Sequence, residues 1–320
     1  MIIKEDVYKK AFEAKKNALR EKQTLRETAA AAAYNAEPRL TEIDRSLSSI
    51  GASLAIAALS GADVTNLKKQ SEALSREKKV LLDKFGVQDI KYDCPLCSDT
   101  GYVNGRICGC VKHLVAAFIA EEMSEEMPLG LSRFDNFDLK YYPDKDTKDG
   151  NPRRRMTKIF KTCYEYAFEF DPKTSGNLLF MGDAGLGKTH LTLAMVGKII
   201  EKGFVPVYGS AENLFSQIEK EKFTDGNRGA YDAMIKSDLL VIDDLGAEMA
   251  TPFSKSALYN LVNTRLLANR PTVINTNLTM KEIEARYTPR ISSRLIGSFA
   301  SHKFIGADIR QQKAVEKMGK

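Results

Sequence analysis

Residues 182–189 read GDAGLGKT, between the apolar run NLLFM (177–181) and the periodic segment HLTLAMVGKIIEK (190–202). The run reads as a buried strand and the segment as a helix, so the octapeptide occupies a strand-to-helix turn. Few folds accommodate such a turn. Glycines let the backbone curl until its N–H groups face a common centre, and the helix N-terminus adds the positive end of its dipole there. Gly182, Gly187, Lys188 and Thr189 fill every fixed position of G-x-x-x-x-G-K-[ST], the pattern that wraps nucleotide phosphates. The expected nucleotide-binding segment is therefore Gly182, Asp183, Ala184, Gly185, Leu186, Gly187, Lys188, Thr189 and His190. Lys188 is directed at the β- and γ-phosphates of ATP and Thr189 at Mg2+.

The flanking sequence supplies more strands of this kind. NLLFMG, VPVYGSA, DLLVIDDLG, PTVINTN and HKFIG are short apolar runs suited to burial on both faces, and longer amphipathic segments separate them. Alternating strands and helices imply the α/β fold of a P-loop NTPase over residues 156–320, with a five-stranded parallel sheet. Ligands bind such sheets beyond the C-terminal ends of the strands. Asp243 emerges at that end of DLLVIDDLG and is the expected Mg2+ carboxylate, acting through water. Asp244 is the candidate for orienting an attacking water; helix capping is its other reading, and Glu248 stands in reserve. PTVINTN ends in Thr276 and Asn277, which suit a hydrogen bond to the γ-phosphate or that water, although Asn after a strand also serves as a plain turn residue.

Arg290 and Arg294, in RYTPRISSRL, are four residues apart and share one helix face. Such a pair is either solvated surface or, in an ATPase working as a ring or filament, the source of an arginine for a neighbour's γ-phosphate. Arg294 is the first choice and Arg290 the second. Arg310, in the last basic segment, is placed to touch phosphate from its own subunit. Basic residues outnumber acidic ones over 286–320, which fits either phosphate contacts with nucleic acid or a solvated helix face. With no base-reading motif beside them, DNA binding is expected to be sequence-tolerant and salt-sensitive.

Upstream, CPLCSDTGYVNGRICGC (94–110) holds four of the chain's five cysteines. A C-x-x-C turn faces two thiolates toward one ion, and Zn2+ takes four N/S ligands in a tetrahedron. Cys94, Cys97 and Cys108 are the expected Zn2+ ligands. The fourth is Cys110 or His113, and Cys110 is preferred because an idle thiolate so close would oxidise. Redox use of the C-x-x-C is the competing chemistry. The turn residues Asp99, Gly101, Asn104 and Gly105 favour a structural knuckle over residues 91–115. Clustered cysteines beside a nucleotide motif indicate a reducing, cytoplasmic setting and metal ligation, not a disulfide framework. Cys163, on an amphipathic helix, is expected in a core.

Residues 1–90 read as helical. Leu40, Ile43, Leu47, Ile50 and Leu54 step 3-4-3-4, and Leu67, Leu74 and Leu81 repeat at seven. Glu37-Pro38 separates the first helix from the second, and Gly61 to Asp63 the second from the third. These leucines close a local core or form a coiled coil with a partner. The segment LSSIGASLAIAALSGADV (47–64) is too short and too interrupted to span a bilayer, and reads as a buried helix. The charged opening MIIKEDVYKKAFEAKK is no secretory signal. Residues 116–155 form a connector and linker, with YYPDKDTKDGNPRRR (141–155) as an exposed loop. A net charge of +6, from 48 basic and 42 acidic residues, is compatible with nucleic acid without requiring it.

RFDNFDL (133–139), GDAGLGKTHL, LLVIDDLGAE, LYNLVNTRLLANRPTVINTNL and RISSRL come in the order and spacing of bacterial replicative helicase loaders. Over about residues 130–315 the chain resembles these DnaC/DnaI-like AAA+ ATPases, whose core is shared by the IstB-like transposition helper ATPases. The resemblance implies Lys188 and Thr189 on ATP–Mg2+, Asp243 and Asp244 as metal and catalytic acids, and Asn277 as the sensor residue. It makes Arg294 the inter-subunit finger and Arg310 a second sensor, and places Phe134 and Phe137 near the adenine. It also implies a hexameric replicative helicase as partner of the zinc-bearing N-terminal region, with single-stranded DNA on the AAA+ face. The chain departs from most AAA+ proteins in having Asp243-Asp244 where they have Asp-Glu. It also has only about forty residues after Asn277, too few for their usual helical lid domain.

Overall fold

The computed structural model describes residues 4–60, 63–124, 132–223 and 229–318. Its contacts divide the chain into two compact units, a smaller one of Phe12–Cys108 and a larger one of Met1–Ala11 with Gly109–Lys320.

The smaller unit takes most of helix α1 (Lys4–Ala36), then α2 (Arg39–Ser60) and α3 (Thr65–Lys84). The break at Glu37-Pro38 falls where expected; Gly61 and Ala62, expected to break the second helix from the third, lie outside the described residues. Leu40 and Ile43 are buried, and Ala33, Leu40 and Val87 form a small core with Leu81 and Leu82 packed against it. Arg39 pairs with Glu77 at 2.8 Å and Lys78 with Asp44 at 2.6 Å, joining α2 to α3. The distal half of α2 is not the buried helix that its apolar sequence suggests. Ile56 is 69% exposed and Leu59 92%. The hairpin packs one face of α2 on α3, and the apolar residues on the remaining faces stay in solvent.

The knuckle follows, built on a hairpin of β1 (Tyr102–Val103) and β2 (Arg106–Ile107). Asn104 and Gly105 connect the strands with φ of 50° and 73°, the left-handed pair that a two-residue Asn-Gly turn demands.

The larger unit is the expected five-stranded parallel sheet. Its strands are β3 (Asn177–Met181), β4 (Pro206–Ser210), β5 (Leu239–Leu245), β6 (Thr272–Thr276) and β7 (Phe299–Lys303), in the order β4-β5-β6-β3-β7. The last strand sits earlier than HKFIG implies, because Asn177 pairs with Phe299 and Met181 with Lys303. Phe304 and Ile305, left outside the strand, are buried.

Helices α4 (Gly109–Ser124), α5 (Pro152–Glu169), α6 (Lys188–Glu201), α7 (Ala211–Phe223), α8 (Gly229–Lys236), α9 (Pro252–Leu267), α10 (Met280–Arg286), α11 (Pro289–Ser298) and α12 (Ile309–Met318) complete it. Their starts are written locally. Asn151 accepts from Arg154 N ahead of Pro152 at α5, and Thr251 with Ser254 and Thr279 with Glu282 form capping boxes at α9 and α10. Val111, Val115 and Ile119 bury one stripe of α4, and Met156, Ile159, Cys163 and Ala167 one stripe of α5, so Cys163 is core as expected. The stretch 141–155 is less open than its composition implies. Tyr142 is fully buried and its hydroxyl donates to Leu186 O at 2.8 Å. Within the same unit, Lys4 of α1 donates to the buried Asp238 at 2.6 Å and Tyr8 to Gly203 O at 2.9 Å.

Candidate nucleotide site and cysteine cluster

β3 ends at Met181 and α6 begins at Lys188, so the glycine-rich octapeptide does form the strand-to-helix turn. Gly187 precedes α6 at φ +86°, and a Cβ there would lie 2.9 Å from both Phe137 Cε2 and Tyr142 Oη. Only glycine fits that conformation and that space. The loop borders a cleft of about 570 Å³. Its walls bring together Ala184, Gly185, Leu186, Gly187, Lys188, Thr189, His190, Asp243, Asp244, Asn277 and Arg310, all singled out from the sequence. Phe137 also lines the cleft, whereas Phe134 packs edge-on against Phe160 and Tyr164. His190 meets Arg133 O at 3.0 Å, and burial lowers its pKa.

Lys188 is only 5% exposed, and its ammonium donates to Gly182 O at 2.6 Å, Asp183 O at 2.8 Å and Asn277 Oδ1 at 2.5 Å. None of these acceptors carries a formal charge. Burial lowers the lysine's pKa against the pull of Asp244 and Asp243. A nearly buried cation held only by neutral oxygens, under a ring of glycine backbone, suits an anionic phosphate.

Asp243 is 4% exposed and meets Thr189 Oγ1 at 3.3 Å, so the hydroxyl and carboxylate expected for Mg2+ stand side by side. Asp244 follows at a break in the β5–β6 register between Ile242 and Leu245, with φ +51°. This left-handed bulge turns its carboxylate into the cleft; Asp244 does not cap a helix. Its exposed side chain lines the cleft, and partial desolvation there, followed by the charge of Asp243, raises its pKa.

Two sequence candidates turn elsewhere. Thr276 is buried and its hydroxyl donates to Leu245 O at 2.6 Å. Glu248, 3% exposed, accepts from Gly246 N at 2.8 Å and from Tyr287 Oη. Its carboxylate braces the turn after β5 against the α10–α11 junction and does not line the cleft. Arg290 and Arg294 stand exposed on α11, also outside the cleft lining.

Other cleft residues were not read from the sequence. Tyr141, Ile309 and Lys313 line it, and Ile309 N donates to Gly185 O at 3.0 Å, joining the start of α12 to the phosphate loop. Asn275 and Tyr208 support Asp243 from the neighbouring strands. Asn275 was legible in principle, since it lies two residues before Asn277 and so on the same strand face.

In the knuckle, the sulfurs of Cys94, Cys97, Cys108 and Cys110 all lie within 4.8 Å of one another, with Cys94 and Cys108 3.7 Å apart. Tetrahedral Zn–S bonds require edges of about 3.8 Å, so this donor set suits a closed four-thiolate site. His113 is exposed and outside the group. The backbone N–H of Cys97 leads the contacts that lower the Cys94 pKa to about 7, toward the thiolate a metal needs. Asp99, 2% exposed, accepts from Asp93 N at 2.8 Å, Cys94 N at 2.9 Å and Lys15 Nζ at 2.8 Å. Burial opposes its charge, yet these donors hold its pKa down to about 2.

Residues 157–303 match the family model of IstB-like ATP binding proteins. The phage-like element PBSX protein XkdC of Bacillus subtilis (strain 168) is 25% identical over 228 residues, 66% of this chain and 82% of that one. The replicative helicase loader DnaC of Escherichia coli (strain K12) is 27% identical over 136 residues. That match covers 41% of this chain and 54% of DnaC, so it spans only about half of that relative's length. Among solved structures, the DnaC helicase loader is similar at a TM-score of 0.46 and 20% identity, over 54% of this chain and 98% of that one. Among the described residues, no helix is long and apolar enough to cross a membrane.

Proposed function

We propose that this chain, which carries an IstB-like ATP-binding domain with the AAA+ P-loop ATPase fold, is an ATP-dependent loader of a hexameric replicative helicase onto single-stranded DNA. It would act in the cytoplasm, during replication initiation or restart. The observation that carries the reading is the convergence of Lys188, Thr189, Asp243, Asp244, Asn277 and Arg310 around one cleft, in a chain that also holds a four-cysteine knuckle and a helical arm. The named similarity to a replicative helicase loader supports it.

In this reading the loop N–H groups and Lys188 hold the triphosphate. Thr189 would ligate Mg2+ and Asp243 would hold it through water, and the bound ion would neutralise charge developing on the phosphates. Asp244 accepts a hydrogen bond from the attacking water and takes its proton, and Asn277 orients that water or the γ-phosphate. Arg310 contacts phosphate from its own subunit. Arg294, exposed on α11, would complete the site of a neighbouring copy once subunits assemble. The four cysteines would hold Zn2+ as a closed structural site, and the knuckle with the α2–α3 hairpin would dock on the helicase.

The test is co-elution of the full chain with the replicative helicase of its source, in ATP and in ADP, alongside turnover of the parent and Lys188→Ala chains. A complex that depends on the cysteine knuckle, with turnover lost in Lys188→Ala, supports loading. The IstB-like description of the matching family is equally compatible with a second reading, a transposition helper assembling on duplex DNA. ATP-dependent coating of duplex DNA without any helicase complex would favour that reading. Absence of turnover, with or without single-stranded DNA, would leave an ATP-switched adaptor.

A further inference from the structure

Asp243 cannot turn freely. Its Oδ1 accepts from Asn275 Nδ2 at 2.7 Å and from Asp244 N at 3.0 Å, beside Thr189 Oγ1; its Oδ2 accepts from Tyr208 Oη. The two supporting side chains come from the strands on either side, Tyr208 from β4 and Asn275 from β6. Asn275 is fully buried, and its own oxygen accepts from Thr192 Oγ1 at 3.1 Å, which fixes its amide with the NH2 toward Asp243.

The arrangement has a register. Lys188 and Thr192 are one turn apart on α6 and meet Asn277, just beyond the end of β6, and Asn275, two residues earlier on that strand. A helical turn rises about 5.4 Å and two strand residues about 6.6 Å, so the two pairs stack nearly level. The upper pair faces the phosphate position, and the lower pair continues through Asn275 into the Asp243 carboxylate.

We propose that Tyr208 and Asn275 are positioning residues that aim the Asp243 carboxylate at the magnesium ion of the bound nucleotide. The proposal rests on the ATP–Mg2+ reading of the cleft. Neither residue is in the cleft lining, so each acts through Asp243. A phenol hydrogen bond occupies Oδ2 and sets the carboxylate plane. Partners that orient a carboxylate around a metal site tune metal affinity in this way.

The test is titration of the full chain with a fluorescent ATP analogue across a magnesium series, in parent, Tyr208→Phe and Asn275→Ser forms. Magnesium-free buffer without chelator leaves the cysteine site untouched. Tyr208→Phe should raise the magnesium concentration for half-maximal tightening by about tenfold or more, with little change in magnesium-free affinity. Asn275→Ser should shift it in the same direction, and Mn2+ binding followed by electron paramagnetic resonance should weaken in parallel. A lowered melting temperature with an unchanged magnesium midpoint would make Tyr208 merely structural and overturn the proposal. A parent chain that binds the analogue with no magnesium dependence would overturn the ATP–Mg2+ reading itself.

Discussion

Lys188 donates a 2.5 Å hydrogen bond to Asn277 Oδ1, joining the first residue of α6 to the residue that follows β6. The other two acceptors of the ammonium are loop carbonyls, so Asn277 is its one side-chain partner among the described residues. Asn277→Ala should therefore leave ATP affinity within about threefold of the parent while turnover falls about a hundredfold, the cost of one positioned polar group in a transition state. Equilibrium titration and single-turnover hydrolysis separate the two effects. Equal losses in both would place Asn277 in ground-state binding.

Asp244 holds a strained backbone and a carboxylate whose pKa is raised by desolvation and by Asp243. A raised carboxyl pKa means the unfolded chain loses this proton first, so its contribution to stability falls as pH climbs from the ordinary carboxylate range through the folded-state value. Asp244→Asn should melt higher than the parent at neutral pH without nucleotide, since Asn tolerates positive φ and carries no charge. The gap should close on acidification, and turnover should drop about a hundredfold or more. A gap independent of pH would assign the gain to backbone strain alone.

Arg265 of α9 is fully buried, and its hydrogen-bond partners among the described residues are all neutral. It donates to Met234 O at 2.5 Å, Pro271 O at 2.6 Å, Ile235 O at 3.0 Å and Thr272 Oγ1 at 3.0 Å, as well as to Ser237. Burial pulls its pKa down to about 9. It ties the end of α8 to the start of β6. Arg265→Met should destabilise the larger unit by about 3 kcal/mol or more, because several buried carbonyls lose their donor. Urea unfolding measures this, and a loss below about 1 kcal/mol would mean that water replaces the guanidinium.

The knuckle makes a stoichiometric prediction. Elemental analysis should find one zinc per chain, lost in Cys110→Ser and retained in His113→Ala, since His113 is outside the sulfur cluster. Cobalt substitution should give the visible spectrum of a four-thiolate site. The reverse pattern would make His113 the fourth ligand.

The sequence by itself determined whatever is written in contiguous residues. The phosphate loop, the Asn104-Gly105 turn, the caps at Thr251 and Thr279 and the Pro38 break all rest on local φ/ψ limits or on partners within a few positions. Lys188, Asp243, Asn277 and Arg310 were legible for the same reason, because each stands at a strand end or within a recognisable run. Tertiary structure alone decided which polar side chains turn inward. Asp243 draws on Tyr208, 35 residues before it, and Asn275, 32 after it. Glu248, held in reserve behind Asp244, meets Tyr287, 39 residues on, and does not line the cleft. The parallel crossovers bring such residues together, and the hydrophobic pattern of each strand is silent about them. For α2, the heptad leucines mark one packing face, but how far that face is covered depends on the neighbours it meets. Leu59 is therefore exposed in an apolar stretch, while Tyr142 is buried in a polar one.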